Sequence, residues 1–590
     1  MARGGGGGAA AVAAASAAGG GGGTKSRFQF FGASQLLDQQ LMQGMGTMGY
    51  RSITVFVLVA IAAMCSCIYM VQFLLLQNGT DLDRSSSSSS SFFCTQVHEN
   101  LQAAATNLSA ISTHDHHLPQ TTAPAAAPAP PPTTKSPSTT ATDLSRIVFG
   151  IGAAAKNWAT RKEYIRLWWN SCGGKKLRGF VWLDEEVNGT IVRSDEQQQQ
   201  QQQQGEAEED SSWPPHKISE DVSDRKRFNW RHDNNKAGVR LSRIVSETFR
   251  LGLPEVDWFV MGDDDTFFFP ENLVKVLSQY DHTRMFYVGS SSETHVQNLF
   301  FSYNMAFGGG GFAISFPLAK ALAQMQDQCN LRYGQMLGSD DRIYACTLEL
   351  GVSLTKNLGF HQMDIKGDPF GILAAHPVTP ILSIHHLDSI SPIFPHMHQV
   401  QSLRKLTEAM KVESGSVMQQ SICYDEQLKW SFSVSWGYVV HVHYGFLKPH
   451  EMEVAIQTFK SLHRKSDASA FSFKLRSYNS KDHCTHPTRY YMESMQGPLN
   501  NSNSNSSQGL LESVYLKGDY ERRAKADCHQ PFMEVINSVN RIRVVKEPIP
   551  EDWYQAPRRS CCKIQSWDKE EIGIHIGTCQ EGEYLIGKIS

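Results

Sequence analysis

The first long apolar block from the N-terminus is Ile53–Leu76 (ITVFVLVAIAAMCSCIYMVQFLLL), which contains no charged residue. At 1.5 Å rise per residue, about 20 apolar residues cross a hydrocarbon core, so the pattern predicts a membrane-spanning helix. A cleaved leader would place a shorter apolar stretch nearer the N-terminus, ahead of a small-residue cleavage site. The flanks cannot pack a core. Gly/Ala tracts dominate the tail 1–52, and residues 77–142 are rich in Ser, Thr, Ala and Pro, including Ser85–Ser91 and APAAAPAPPPTT. Such a composition makes an extended stem.

Beyond the stem the pattern changes to that of a folded domain. Leu144–Gly152 (LSRIVFGIG) reads as a buried strand, followed by a helix through Trp158, Arg161, Tyr164, Trp168 and Trp169, then a second strand at Leu177–Leu183. That βαβ opening is typical of a parallel sheet. Glu185–Glu220, with Gln197–Gln204 and an acidic run, breaks the pattern and reads as a disordered insertion over 186–220. Over Ala237–Leu251, Val239, Ile244, Val245 and Phe249 share one helix face, with Arg240, Arg243 and Glu247 opposite. Val256–Met261 is a short buried strand bounded by Pro254 and Gly262, and Pro270 opens the next helix. From 394 to 590 the chain reads as a strand-rich extension, with alternating apolar positions over Trp430–Tyr444.

Charge adds an orientation and excludes one class. Arg3, Lys25, Arg27 and Arg51 precede the apolar block, whereas Asp81 and Asp83 follow it beside Arg84. The positive-inside bias leaves the tail cytosolic and everything after Leu76 lumenal. Asn-x-Ser/Thr triplets at Asn78, Asn107, Asn188, Asn500 and Asn505 lie on that side. The chain has 55 Lys and Arg against 58 Asp and Glu, a formal net charge of -3, without the basic excess of a nucleic-acid binder. Nine cysteines of the folded lumenal domain (Cys172, Cys329, Cys346, Cys423, Cys484, Cys528, Cys561, Cys562 and Cys579) predict disulfides of open connectivity, and no CxxC pair supports zinc.

Three segments carry chemistry. Asp263-Asp264-Asp265 follows the Val256–Met261 strand, and ligands of open α/β sheets bind at the carboxyl ends of strands. Adjacent carboxylates repel, and a divalent cation with a taste for oxygen relieves that repulsion. A solvated acidic turn is the bland alternative, weakened by the buried strand and the helix around it. The spacing does not fit an EF-hand. Gly308–Gly311, inside AFGGGGFAIS, lets the backbone come close to a sugar or phosphate, though a glycine run is as often a loose turn. Asp340 and Asp341 open the helix DDRIYACTLEL, where helix capping by Asp340 competes with an acid–base role for one of the pair.

The blocks IVFGIGAA, WFVMGDDDTFFFPENL, FYVGS, AFGGGGFAIS, GSDDRIYA and Gly359-Phe360-His361, in this order over Leu144–Asp388, resemble the Fringe-like β1,3-glycosyltransferases of family 31, and the long C-terminal part is similar to the plant-type members. The resemblance implies a GT-A-type, Rossmann-like mixed sheet flanked by helices over 143–393. It implies that Asp263, Asp264 and Asp265 form a DxD-type motif holding Mn²⁺ and the diphosphate of a UDP-sugar. Asp265 would ligate the metal, with Asp263 and Asp264 on the donor side together with Arg161, Gly309 and Gly310. Asp341 would be the catalytic base with Asp340 beside it. A later histidine completes the metal site, with His361 the best match and His385 and His386 its rivals.

These implications amount to an inverting transferase in the Golgi membrane, single-pass type II. It would move a hexose or N-acetylhexosamine from a UDP-sugar to a hydroxyl of a glycan, glycoprotein or glycolipid, forming a β1,3 linkage. A non-catalytic carbohydrate-binding or scaffolding membrane protein on the same fold is the competing expectation. A glycoside hydrolase using Asp265 and Asp341 is weaker, since hydrolases need neither metal nor nucleotide.

Overall fold

The computed structural model describes residues 142–187, 212–230, 233–462, 468–477, 484, 486–499, 509–518, 528 and 531–588. The expected span 53–76, the tail, nearly all of the stem and the Gln tract lie outside them. Among the described residues no helix is long and apolar enough to cross a membrane. All of them fall in one compact unit, Thr139–Ser590.

The first half is a mixed sheet with helices on both faces. Its strands are β1 (Ile147–Gly152), β2 (Arg178–Leu183), β3 (His216–Ile218), β4 (Trp258–Asp263), β6 (Tyr287–Gly289), β7 (Phe312–Ser315) and β8 (Leu354–Lys356), in the order β3-β2-β1-β4-β7-β6-β8. β1, β2, β3 and β4 run parallel, and β7 is antiparallel to β4 and β6. A second, three-stranded sheet joins β5 (Phe267–Phe268), β9 (Phe360–His361) and β11 (Ser383–Ile384), while β10 (Ile365–Gly367) pairs elsewhere.

The period-2 rule explains why the central strands are continuously apolar. Phe149 and Ile151 of β1, with Trp258 and Val260 of β4, enter one core, lined by Trp168 and Trp169 of helix α1 (Ala155–Trp169). Val148, Phe259 and Met261 point the other way, toward α2 (Asp233–Arg250), α5 (Phe316–Arg332) and α6 (Asp340–Glu349), with α3 (Pro270–Leu277) and α4 (His295–Phe300) intervening in sequence. A disulfide between Cys329 and Cys346 ties α5 to α6.

One reading of the sequence needs correction here. The insertion expected over 186–220 ends earlier, because His216–Ile218 is a strand paired to β2 from Val181 to Leu183. The face of α2 that carries Arg240, Arg243 and Glu247 is buried as well. Arg243 contacts Glu220, Glu247 and Asp327 at 2.5, 2.9 and 2.7 Å, and Arg240 donates to the Ala153 carbonyl at 2.9 Å. A helix packed on both sides can keep charges only by pairing them.

The C-terminal part is a closed barrel. Its eight strands are β12 (Gln420–Asp425), β13 (Trp430–Ser435), β14 (Val439–Tyr444), β18 (Thr488–Leu499), β19 (Leu510–Lys517), β20 (Arg541–Lys546), β22 (Glu571–Gly577) and β21 (Cys561–Trp567), in that spatial order. The alternating run Trp430–Tyr444 forms a hairpin of two strands. Closure removes the exposed edges that such strands would otherwise present. The β14–β18 connection contains β15 (Ala455–Ile456), β16 (Phe459–Ser461) and β17 (Leu475–Arg476), and β16 pairs antiparallel with β10 of the first half. Through α7 (Gln399–Glu413), whose Leu403 and Leu406 are fully buried, one continuous core joins Phe149 and Phe268 to Phe432 and Ile574. Disulfides link Cys423 to Cys562, Cys484 to Cys528, and Cys561 to Cys579, and among the described residues Cys172 is a buried free thiol.

Candidate active site

The site forms where β4 ends. Its last residue is Asp263, and the chain turns at once, with the Thr266 amide donating to the Asp263 carbonyl at 3.1 Å. The Thr266 hydroxyl in turn donates to the Gly309 carbonyl at 2.8 Å, so the aspartate turn and the glycine run are fastened together.

The three aspartates do different things. Asp264 accepts from Arg161 Nη1 at 2.6 Å, while Nη2 of the same guanidinium lies 3.3 Å from Asp265 and 2.7 Å from Asp388. The Tyr164 hydroxyl donates to Asp388 at 2.9 Å, and with Arg161 one helical turn earlier, α1 supplies both groups. Asp265 and Asp263 face His385, whose Nε2 is 3.1 Å and 3.8 Å from their carboxylates. The Nδ1 of His385 donates to the Gln362 carbonyl at 3.1 Å, and its ring stacks on His386 at 4.0 Å between centroids. That second bond fixes which ring nitrogen faces the aspartates.

Asp263, Asp265 and His385 each offer a ligand atom within 4.8 Å of the others, and they alone among the described residues form such a group. Two carboxylates and an imidazole in a buried corner fit a divalent cation such as Mn²⁺. His361, the better match by sequence, is used differently. Its Nδ1 lies 3.2 Å from Glu293, its Nε2 is buried without a partner, and its ring meets that of His376 at 5.0 Å. β9 and β11 lie parallel, with His361 paired to Ile384 immediately before His385, so the choice between the histidines is one of strand register and facing. The signal available in the sequence was Asp388, three residues after His385, which shares Arg161 with the aspartates.

The glycines are close-packing devices against the protein itself. A methyl at Gly308 would collide with the Asp340 carboxylate, and one at Gly309 with the His385 ring. The Gly310 amide donates to the Gln362 side chain at 2.6 Å, and Gly311 takes a φ of +83°. The predicted donor-side residues Gly309 and Gly310 thus stand against the cation-binding corner.

Asp340 and Asp341 sit on the first turn of α6, and Ser339 precedes it. Capping by the Asp340 side chain does not occur. Instead its carboxylate accepts from the Ser339 hydroxyl at 2.8 Å and packs closely against Gly308. It lines a small cavity together with Gly152, Gly262, Asp263 and Gly308. Asp341 is half-buried, and its Oδ1 is enclosed without a hydrogen-bond partner.

Burial sets the electrostatics. It pushes Asp340 up to about 6, and pushes Asp341 up to about 6 with help from the neighbouring Asp340 charge. Asp263 is raised to about 8, by burial first and then by the other carboxylates. Burial opposes ionisation of Asp265 as well, but the His385 charge, their hydrogen bond and Arg161 outweigh it and hold that carboxyl well below its usual range. His385 is raised to about 9 because the Asp265 charge exceeds the cost of burial. An excess of carboxylates here is matched by cations: a guanidinium on one side and an imidazolium on the other.

In this α/β fold, three aspartates at a strand end and a histidine facing them bring together groups that could hold a divalent cation. Residues 182–366 match the family described as Fringe-like. Residues 297–562 match a second family, described as "Protein of unknown function, DUF604". No curated protein matches the chain in sequence. Among solved structures, an active-site mutant of LgtC aligns with a TM-score of 0.28 at 12% identity, covering 44% of this chain and 93% of that one.

Proposed function

We propose that the protein is a metal-dependent, inverting glycosyltransferase of the Golgi membrane, moving a hexose or N-acetylhexosamine from a UDP-sugar to a hydroxyl of a glycan or glycoconjugate in a β1,3 linkage. The observation that carries this reading is the meeting of Asp263, Asp265 and His385 beside Arg161.

In this reading Asp263, Asp265 and His385 hold Mn²⁺, which when bound supplies positive charge to the diphosphate as the anomeric bond breaks. Arg161 keeps Asp264 and Asp265 ionised and in place, and its own position is set by Asp388 and Tyr164. Asp340 is committed to the Gly308 turn and orients it. Asp341 keeps an acceptor oxygen without a partner and a pKa raised to about 6, both suited to taking the proton of an attacking hydroxyl. A single displacement with a base and no covalent nucleophile inverts the anomeric centre.

The test is release of UDP by the detergent-solubilised full chain from a panel of UDP-sugars, with Mn²⁺ or with chelator. Metal-dependent UDP release raised by one class of acceptor supports the reading. Absence of UDP binding in saturating Mn²⁺ would overturn it in favour of a non-catalytic carbohydrate-binding role.

A further inference from the structure

Besides the shared core, the C-terminal region reaches back into the first half beside the site. In the β14–β18 connection, β16 pairs with β10, and the Leu462 amide donates to the Asp364 carbonyl at 3.0 Å. A few residues on, the Ser472 amide donates to the Glu293 carbonyl at 2.8 Å, Phe471 forms a bridge with Thr294, and Asn298 donates to the Ser472 hydroxyl at 2.9 Å. These contacts grip both sides of one corner. Glu293 holds His361 and accepts from the Met363 amide at 2.8 Å, while Asp364 accepts from Ser292 at 2.5 Å. Between His361 and Met363 sits Gln362, whose carbonyl holds His385 and whose side chain holds Gly310.

The segment gripped in this way leads out to solvent and back. Residues 290–294 are buried, as are Met305–Phe312, and the Phe307 amide returns to the Ser290 carbonyl at 3.1 Å. Between them Leu299, Phe300 and Tyr303 are 66%, 51% and 38% exposed. Tyr303 is hydrogen-bonded to His295, and Phe300 meets Phe301 edge-on, with Phe301 set against Phe307, the residue before Gly308. This hairpin, made of α4 and the return chain after it, is hydrogen-bonded at its base, carries aromatic side chains at its tip, and leads from Glu293 at one end to Gly308 at the other. Large apolar side chains held out in water beside a site are characteristic of a binding surface.

We propose that the C-terminal region is a working part of the transferase site: its 459–462 and 471–472 stretches pin the hairpin 294–307, and Phe300 and Tyr303 at the tip receive the acceptor, a carbohydrate that lays the apolar C–H face of a sugar ring on them. This rests on the transferase reading above. Aromatic rings suit this ligand because a pyranose buries C–H groups against a ring while its hydroxyls stay in water. Ser472 is a positioning residue and acts through Glu293. The match to the family of unknown function begins at Gln297, inside this hairpin, and runs on through most of the barrel, so one family description spans both parts.

The experiment uses the full chain, its best UDP-sugar, and whichever simple alkyl glycoside the wild type glycosylates fastest. Phe300→Ala with Tyr303→Ala should raise the acceptor KM by about 10-fold or more. Mn²⁺-dependent UDP affinity and acceptor-free hydrolysis of the donor should be unchanged. Phe300→Tyr and Tyr303→Phe, which keep the rings, should restore the wild-type KM. Ser472→Pro, which deletes the amide donated to Glu293, should act in the same direction with Phe300 and Tyr303 intact. An unchanged acceptor KM in the double alanine variant, while the wild type transfers normally, overturns the acceptor surface alone. A parallel fall in UDP affinity also overturns it, by showing a general structural role. A wild type that releases no UDP from any donor removes the transferase reading and this inference with it.

Discussion

Gly309→Ala tests the site at its tightest point. The φ of Gly309 is outside the left-handed region, so alanine is acceptable to the backbone and the whole effect comes from one methyl group. That methyl would overlap the His385 imidazole. The ring cannot swing aside, since Nδ1 is bonded to the Gln362 carbonyl, the His386 ring lies 4.0 Å away, and the residue is 1% exposed. Adding a methyl to a filled interior costs about 1–3 kcal/mol. For a domain this large, the Tm should fall by roughly 2–4 °C for each kcal/mol lost. Displacing the Nε2 that faces Asp265 should weaken cation affinity by about 10- to 100-fold, the range for a disturbed supporting shell. Calorimetric titration of the full chain with Mn²⁺, beside a thermal melt, reads both quantities. Wild-type Mn²⁺ affinity in a variant with a lowered Tm would show that the ring moved and the cation did not notice. His385 would then lose its place as a ligand.

Asp341→Asn should keep Mn²⁺ and UDP affinity near wild type and slow transfer by roughly 10²–10⁴. A normal transfer rate in that variant would remove the base assignment. Asp265→Ala should abolish cation and UDP binding together, whereas His361→Ala should leave Mn²⁺ affinity within a few-fold of wild type, and calorimetry showing the reverse order would return His361 to the cation. His441 gives a pH prediction. It is buried in the barrel with Nε2 unpartnered, and burial holds its pKa well below the ordinary value of 6.5. Its contribution to stability is therefore complete above pH 6.5 and lost as the pH falls below it, at about 1.4 kcal/mol for each unit of lowering. His441→Phe should flatten the acid limb of a denaturant-midpoint against pH curve, and an unaltered limb would place the titrating group elsewhere.

Much of the first half was legible because its signals are local. Phe149 and Val148 must point to opposite faces of a strand, and both are apolar, which already requires a layer on each side. The aspartates could be placed because Gly262-Asp263 ends an apolar strand, and strand ends are where such sheets bind ligands. Pro270 and the apolar spacing of the following residues gave α3 in the same way. What covers the face of Arg243 and Glu247 could not be read, because helical periodicity shows which residues share a face and not what packs on it.

The sequence by itself determined the α/β character, the strand-end aspartates, the pair Asp340 and Asp341, and a strand-rich C-terminal half. Only the tertiary structure decided which histidine meets the aspartates, since His361 ends β9, His385 directly follows its partner strand β11, and the two make different contacts. It alone separated Asp340, spent on the Gly308 turn, from Asp341, which keeps an unpartnered oxygen. It alone closed eight strands into a barrel and brought Ser472 to Glu293, 179 residues earlier in the chain. Contacts at that separation leave no periodicity or spacing to read, because they depend on how finished elements pack, and packing is settled only when the whole core has formed.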